Sequence, residues 1–313
     1  MIATILKRIL QILVTLVLAS TVVFVLIHAS GDPTQGFMPP GASPEVRDAV
    51  RQRLGLDDPI IEQYIRFVGN GLTGNFGDSW RDHQPALAAV LDRLPATLSL
   101  AGGALLISLV FGILVGVISA SRGSGILLRI VRSFPIVGQA VPTFWLGAML
   151  MLLFAVRLGW LPASGNDSPA SIILPAVTLS LQPASIIARL MSTGMQDISR
   201  SDYVRTANSK GLSARAVSWR HVFPNALLPV LGYAGLQAGF LIGGTVVIES
   251  LFAWPGVGRL ALQSATQHDL PVIHAFVSVT AVGVILLNLV VDMIGFAIDP
   301  RQRESLAGGA VRG

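Results

Sequence analysis

The chain has 313 residues, of which 52% are hydrophobic and only 12% charged, and it carries a formal charge of +5. Such a composition is too apolar for a soluble domain of this length, and the basic excess lacks the groove of interleaved aromatics that a nucleic-acid surface needs. There is no cysteine, which excludes disulfides and thiolate metal sites.

Six apolar runs near 20 residues recur along the chain, at 9–29, 97–120, 134–156, 171–190, 226–248 and 272–296. At ~1.5 Å per residue each is long enough to cross about 30 Å of hydrocarbon as a helix. Each admits Gly, Pro or Ser, which bilayer helices tolerate where neighbours satisfy the freed backbone groups. The first run follows Lys7 and Arg8 and precedes Ala29-Ser30-Gly31. Its apolar length exceeds the roughly 7–15 residues of a signal-peptide core, so it reads as a retained span. The predicted organisation is a cytoplasmic end and first span over 1–29, an extracytoplasmic segment over 30–96, a membrane core over 97–300 and a tail over 301–313.

The segment 30–96 opens with Gly31, Pro33, Gly36, Pro39, Pro40, Gly41 and Pro44 and holds nine acids against six arginines. Within it the periodicity predicts helices over 44–54 and 58–68, the second with Ile60, Ile61, Tyr64, Ile65 and Val68 on one face. It reads as a small ordered cap on the membrane core.

Basic residues are distributed unevenly between the loops. One side collects Lys7 and Arg8, then Arg122, Arg129 and Arg132, then Arg200 to Arg220, then Arg301, Arg303 and Arg312; the opposite short loops hold only Arg157 and Arg259. Both termini and the loop 199–225 are therefore expected on the cytoplasmic side. That loop contains YVRTANSKGLSARAVSWRHVFP over 203–224. Ser201 or Asp202 is placed to cap one short helix, Gly211 to break it at a positive φ, and Ser213 to cap a second that ends near Pro224. An ordered helix–Gly–helix in a membrane-protein loop implies something that docks there. The basic residues Arg205, Lys210 and Arg215 either meet acidic groups on that partner or anchor topology.

The fifth span carries Gly232, Gly235, Gly239 and Gly243, a smooth stripe suited to close helix approach within the subunit, to a partner, or along a narrow pore. After it, 249–258 reads ESLFAWPGVG: Pro255, Gly256 and Gly258 force a turn, while Leu251, Phe252 and Trp254 are too apolar for an open loop. A re-entrant turn or an interfacial anchor fits that mixture. Asp292 is the one carboxylate well inside an apolar run, about two turns before Arg301. A structural charge contact, a gating contact and proton coupling all remain open for it.

Familiar catalytic motifs are missing. Lys7 and Lys210 are the only lysines and neither lies in a phosphate-binding G-x-x-x-x-G-K-[ST] loop. His28, His83, His221, His268 and His274 form no HExxH pair, and no G-x-S-x-G nucleophile elbow occurs. No catalytic or metal-ligating residue is assigned.

Several stretches resemble one family. Thr206-Ala207, Gly211 four residues after Ala207, and Phe223-Pro224 twelve and thirteen residues after that glycine are similar to the EAA loop of ABC importer permeases, with Arg205 in place of the usual leading Glu. LGLDDP at 54–59, Gln63-Tyr64, GNFGDS at 74–79, the E-x-x-F-x-x-P-G-x-G pattern at 249–258 and NLVVD…DPR near the C-terminus narrow the resemblance to the dipeptide/oligopeptide/nickel branch. It implies an all-α polytopic fold of the type I importer class, six transmembrane helices with an outer scoop between the first two, in a bacterial inner membrane. The resemblance also implies a second homologous permease, two ABC ATPases that hold ATP and Mg, and an extracytoplasmic substrate-binding protein. No cofactor is implied on this chain.

By the same resemblance Tyr203, Val204, Arg205, Thr206, Ala207, Lys210, Gly211, Leu212 and Arg215 couple to the ATPase. Glu249, Phe252, Trp254, Pro255, Gly256 and Gly258 line the outer gate. The implied cargo is a short peptide, with nickel chelate, glutathione or another small solute as alternatives. An ATP-independent secondary transporter is the rival class, but it predicts inverted repeats and midplane charges that the sequence does not show.

Overall fold

Apolar helices dominate because the sequence supplies few polar positions to interrupt them. The computed structural model describes residues 2–29, 43–121 and 123–298. Helix α1 (Ile2–Ala29) is followed by α2 (Pro44–Leu54), α3 (Ile60–Thr73), the single turn-and-a-half α4 (Ala86–Leu91) and the long α5 (Leu94–Ala120). Then come α6 (Ile126–Ala140), α7 (Thr143–Leu150) continued by a π-helical stretch Met151–Arg157, and α8 (Ile173–Ile198). The short α9 (Asp202–Ser209) and α10 (Ala214–Val217) precede α11 (Phe223–Gly244), α12 (Val246–Leu251), α13 (Val257–Thr266) and α14 (Leu270–Ile298).

Three stretches, Ala86–Ala120, Pro169–Ile198 and Leu270–Val291, are long and apolar enough to cross a membrane. The pair Ile126–Ala140 and Thr143–Arg157 passes jointly but is bent by 109°. With α1, whose described apolar stretch is Leu10–Leu26, and with α11, these account for the six apolar runs of the sequence. The bend corrects the expectation of one straight helix over 134–156. Val141 stands before a proline and is extended, with φ −80° and ψ 122°, and Pro142 has no N–H to continue the ladder.

The chain groups into two compact units. The first comprises residues 1–98, 242–250 and 255–286, and the second residues 99–241, 251–254 and 287–313. In the first, α3 packs along α1: Thr21 hydrogen-bonds Tyr64 at 2.8 Å, His28 meets Gln63 at 3.3 Å, and Phe24 makes an edge contact with Tyr64. Gly55 and Gly74 close α2 and α3 in the left-handed conformation, as C-terminal glycines do. A small core of Ala86, Ala89, Val90, Val257, Leu260, Val272 and Ala275 joins α4, α13 and α14.

In the second unit α8 is central, with α6 and α7 packed on it. α5 crosses α8 with contacts that advance in step on both helices. The Ser108 hydroxyl donates to Ser180 O at 3.1 Å; a Cβ at Gly112 would stand 2.7 Å from Ala184 O, and one at Gly116 would stand 2.8 Å from Ala188 O. Each step is four residues, so one face of α5 lies against the backbone of α8, the close approach that small residues permit between membrane helices. The glycine stripe singled out on the fifth span behaves differently. Gly235 lies against Val291, but nothing stands within 4 Å of a Cβ at Gly232 or Gly243.

This contrast is testable in purified chain by following helix loss on heating. Gly116→Val is expected to destabilise by about 1–3 kcal/mol through overpacking. Gly232→Ala is expected to be neutral or up to about 1 kcal/mol stabilising, since it adds helix propensity without a clash. Equal effects at the two positions would overturn the assignment of the tight crossing to α5 and α8.

Candidate functional site

The loop between α8 and α11 lies wholly in the second unit. Ser201 precedes α9 in extended conformation, but its hydroxyl donates to Ile198 O at 2.7 Å instead of capping an N–H. α9 ends at Ser209 with Lys210 as its C-cap, and Gly211 follows with φ 81°, the left-handed position at which a glycine costs no Cβ strain. Ser213 caps α10 by accepting from Ala216 N at 3.3 Å.

The second short helix does not end near Pro224, as its sequence suggests. α10 passes into a π-helical stretch, Ser218–Val222, and on into α11. The wider turn falls where Pro224 withholds an N–H, and the Asn225 side chain donates to His221 O at 2.8 Å.

This loop has two faces. Val204, Ala207, Val217 and Val222 are buried in one core with Ile187, Met191 and Met195 of α8 and Ala226 and Val230 of α11. That core ties the loop to two long helices. On the other face Tyr203, Leu212 and Trp219 are exposed, together with Arg205, Thr206, Lys210, Gly211 and Arg215. Arg205 has its guanidinium 3.6 Å from Asp202, both almost fully in solvent, a pairing of little energetic weight. Of the predicted coupling residues, Val204 and Ala207 are thus internal and the other seven face outward. Trp219, which the motif spacing does not single out, shares this exposed face, four residues after Arg215.

The motif at 249–258 divides between the units, and Glu249 is not in a loop. In the first unit it belongs to α12, its N–H bonded to Thr245 O at 2.8 Å, and its side chain is fully buried. The carboxylate accepts from Thr97 Oγ1 at 2.7 Å, Thr245 Oγ1 at 2.8 Å and the Arg259 N–H at 2.9 Å. Thr97 in turn accepts from the Val257 N–H at 2.9 Å.

Gly256 and Gly258 lie hard against that carboxylate, and a Cβ at Gly258 would also stand 2.9 Å from Val246 Cα. The E…G-x-G spacing is therefore a carboxylate packed onto backbone. In the second unit Phe252 and Trp254 are buried, at 2% and 5% exposure. Phe252 O accepts from Gly165 N at 2.9 Å, and α7 approaches Leu251 and Phe252 through Gly147. Asp292 and Arg301 lie outside the residues whose side chains are described. Among the described residues no group of three or more His, Asp and Glu is arranged to hold a metal.

These helices have the fold of the type I ABC importer class. The chain is similar in fold to the inward-facing MetNI methionine ABC transporter, with TM-score 0.54 and 19% identity over 69% of this chain and 98% of that one. An amino acid ABC transporter crystallised with histidines gives TM-score 0.52 and 16% identity over 67% of this chain and 93% of that one. Residues 112–304 match the binding-protein-dependent transport system inner membrane component family, and residues 1–101 its N-terminal membrane-component family.

The glutathione transport system permease protein GsiC of Escherichia coli K12 is 38% identical over 300 residues, 96% of this chain and 98% of that protein. Its counterpart in Salmonella paratyphi A is 39% identical over the same shares. The chain belongs to the binding-protein-dependent permease family, in its dipeptide/oligopeptide/nickel branch, and is a multi-pass inner-membrane component of an ABC importer.

Removing the acceptor at Glu249 should be costly. Glu249→Ala leaves two buried hydroxyls and an N–H without a partner, at roughly 1–3 kcal/mol for each group. Glu249→Gln, which keeps one acceptor oxygen, is expected to fall between Ala and the unsubstituted chain in thermal unfolding. An Ala variant as stable as the parent would remove the carboxylate from its structural role.

Proposed function

We propose that this chain is one of two homologous permease subunits that form the translocation path for short peptides, glutathione among them. In this reading an extracytoplasmic binding protein delivers the peptide and two separate ATPases supply the work. Support for a peptide cargo comes from the named activity of GsiC, since glutathione is itself a tripeptide. A nickel chelate or another small solute is the alternative cargo, and a heterodimer of permeases is the proposed assembly. Both termini and the loop 199–225 face the cytoplasm, a reading supported by the one-sided distribution of arginine and lysine.

The observation that carries the reading is the two-faced loop. Its inner face, Val204, Ala207, Val217 and Val222, is fixed to α8 and α11, and its outer face offers Tyr203, Leu212 and Trp219 among basic residues. A helix held this way transmits a push from a docked ATPase into two long helices without first melting. Coupling requires the ATPase to bind the two states of the permease with different free energy, and a rigidly attached docking helix provides that difference. At the outer side Trp254 is the proposed gate residue, moved with the helices that hold it.

Gly211→Val in the reconstituted importer is expected to insert normally but to lose most substrate-stimulated ATP hydrolysis. A β-branched residue at φ 81° carries roughly 1–3 kcal/mol of strain, while no neighbour stands within 4 Å to clash with it. Unchanged transport and hydrolysis would exclude the coupling role. Arg205→Glu should uncouple hydrolysis from transport with topology intact, whereas an inverted protein would mark Arg205 as a topology anchor only.

For the gate, Trp254→Cys in this cysteine-free chain is expected to change its reactivity toward an external thiol reagent when nucleotide and binding protein are added. Constant reactivity through every state would place Trp254 away from the gate.

A further inference from the structure

A cavity of about 310 Å³ in the first unit is assigned to nothing above. Two turns far apart in sequence are clasped together to make it. Asp269, just before α14, accepts from the Ser79 hydroxyl at 2.5 Å and from the Trp80 N–H at 3.2 Å, and Arg81 Nη1 donates to Gln267 Oε1 at 2.8 Å. Each turn holds a histidine at positive φ, His83 at 51° and His268 at 58°, a conformation that residues other than glycine seldom adopt. The clasp sets the end of α4 opposite α13, and the space between is lined by Arg81, Arg93 and Arg259, by Asp82 and Asp269, and by Gln263.

The balance of charge inside favours an anion. Asp269 is 4% exposed and has its carboxylate engaged by the two donors already named. Asp82 lies 3.6 Å from Arg81 near the exposed rim. Arg93 is half-buried, lines the cavity and makes no ion pair among the described residues. A guanidinium presents a planar fork of N–H donors that matches a carboxylate with two parallel bonds. The volume falls at the small end of the range for small-ligand sites, enough for the terminal part of a short peptide.

We propose that this cavity binds a carboxylate of the transported peptide, with Arg93 as its principal partner and Arg259 and Gln263 beside it. The assignment rests on the importer reading above, and it names the part of the cargo that the permease itself recognises on the scoop side. Nothing in it requires covalent chemistry or a change of protonation.

The test uses the full chain in the assembled importer in proteoliposomes, with Leu262→Cys, an exposed position of α13 that does not line the cavity, carrying an environment-sensitive fluorophore. The probes are triglycine, triglycine amide, inorganic phosphate and the binding protein without peptide. Triglycine is expected to shift the emission saturably, and the amide, which lacks the carboxylate, is expected to bind about tenfold or more weakly. Arg93→Gln should produce a loss of similar size for triglycine, and Arg93→Lys a smaller one, because the charge remains without the fork.

The comparison of acid and amide on the Arg93-containing chain stands even where a variant fails to assemble. Equal responses to triglycine and its amide, or a phosphate response as strong as that to triglycine, would overturn the proposal. A response to the peptide-free binding protein alone would also overturn it, by moving the carboxylate to an acidic side chain of that protein. ATP-driven uptake without any triglycine shift would remove the cavity and leave the importer reading. A triglycine shift without nucleotide-dependent uptake would do the reverse.

Discussion

A carboxylate fully withdrawn from solvent must be given donors, and at Glu249 that requirement organises the first unit. The charge is carried by two threonine hydroxyls and a backbone N–H, contributed by α5, the break before α12, and α13. Burying such a group without partners costs several kcal/mol, so these segments hold their mutual register or the unit loses its centre. The glycines at 256 and 258 follow from the same constraint, since any side chain there would occupy the space of the carboxylate. A motif that reads as a turn is therefore an anchor, and α13 and α14 take their places from it.

The second unit depends on backbone proximity instead of charge. Without water between membrane helices there is little hydrophobic drive to associate them, and packing must supply the contact. Ser108, Gly112 and Gly116 let α5 lie on the backbone of α8, whose C-terminal end carries the loop with Val204 and Ala207. The loop's stiffness thus comes from the same tight packing that holds the span. Its outward residues need no internal partner, which leaves a surface able to take one.

The two units use polar groups differently. In the first, buried Thr97, Glu249, Asp269 and His274 are tied into hydrogen bonds that cross long sequence distances. Ser20 bonds His274 at 2.9 Å, and Phe67 stacks on the same ring. In the second, buried serines and threonines mostly return to the preceding turn of their own helix, as Thr178 does to Leu174 O and Ser185 to Leu181 O. The first pattern fixes which segments meet, and the second only satisfies a hydroxyl in an apolar helix.

Much of this was legible in the chain itself. Apolar length gave the spans, Gly211 gave the break between the two short helices of the loop 199–225, and the end of α2 at Leu54 was read from its periodicity, because these depend on local backbone physics. By contrast, α3 runs on to Thr73, past the 58–68 that the apolar face suggested. The break at Pro142 was readable too, from the proline alone, but apolar length concealed it. Which glycines touch another helix was not readable. Gly232 and Gly116 look alike in sequence, and only the neighbour across the contact distinguishes them. Nor could the sequence reveal that Glu249 meets Thr97, or Asp269 meets Ser79, since those pairs are 152 and 190 residues apart. Side-chain periodicity reports which face is apolar; the identity of what lies against that face is decided only when distant segments fold together.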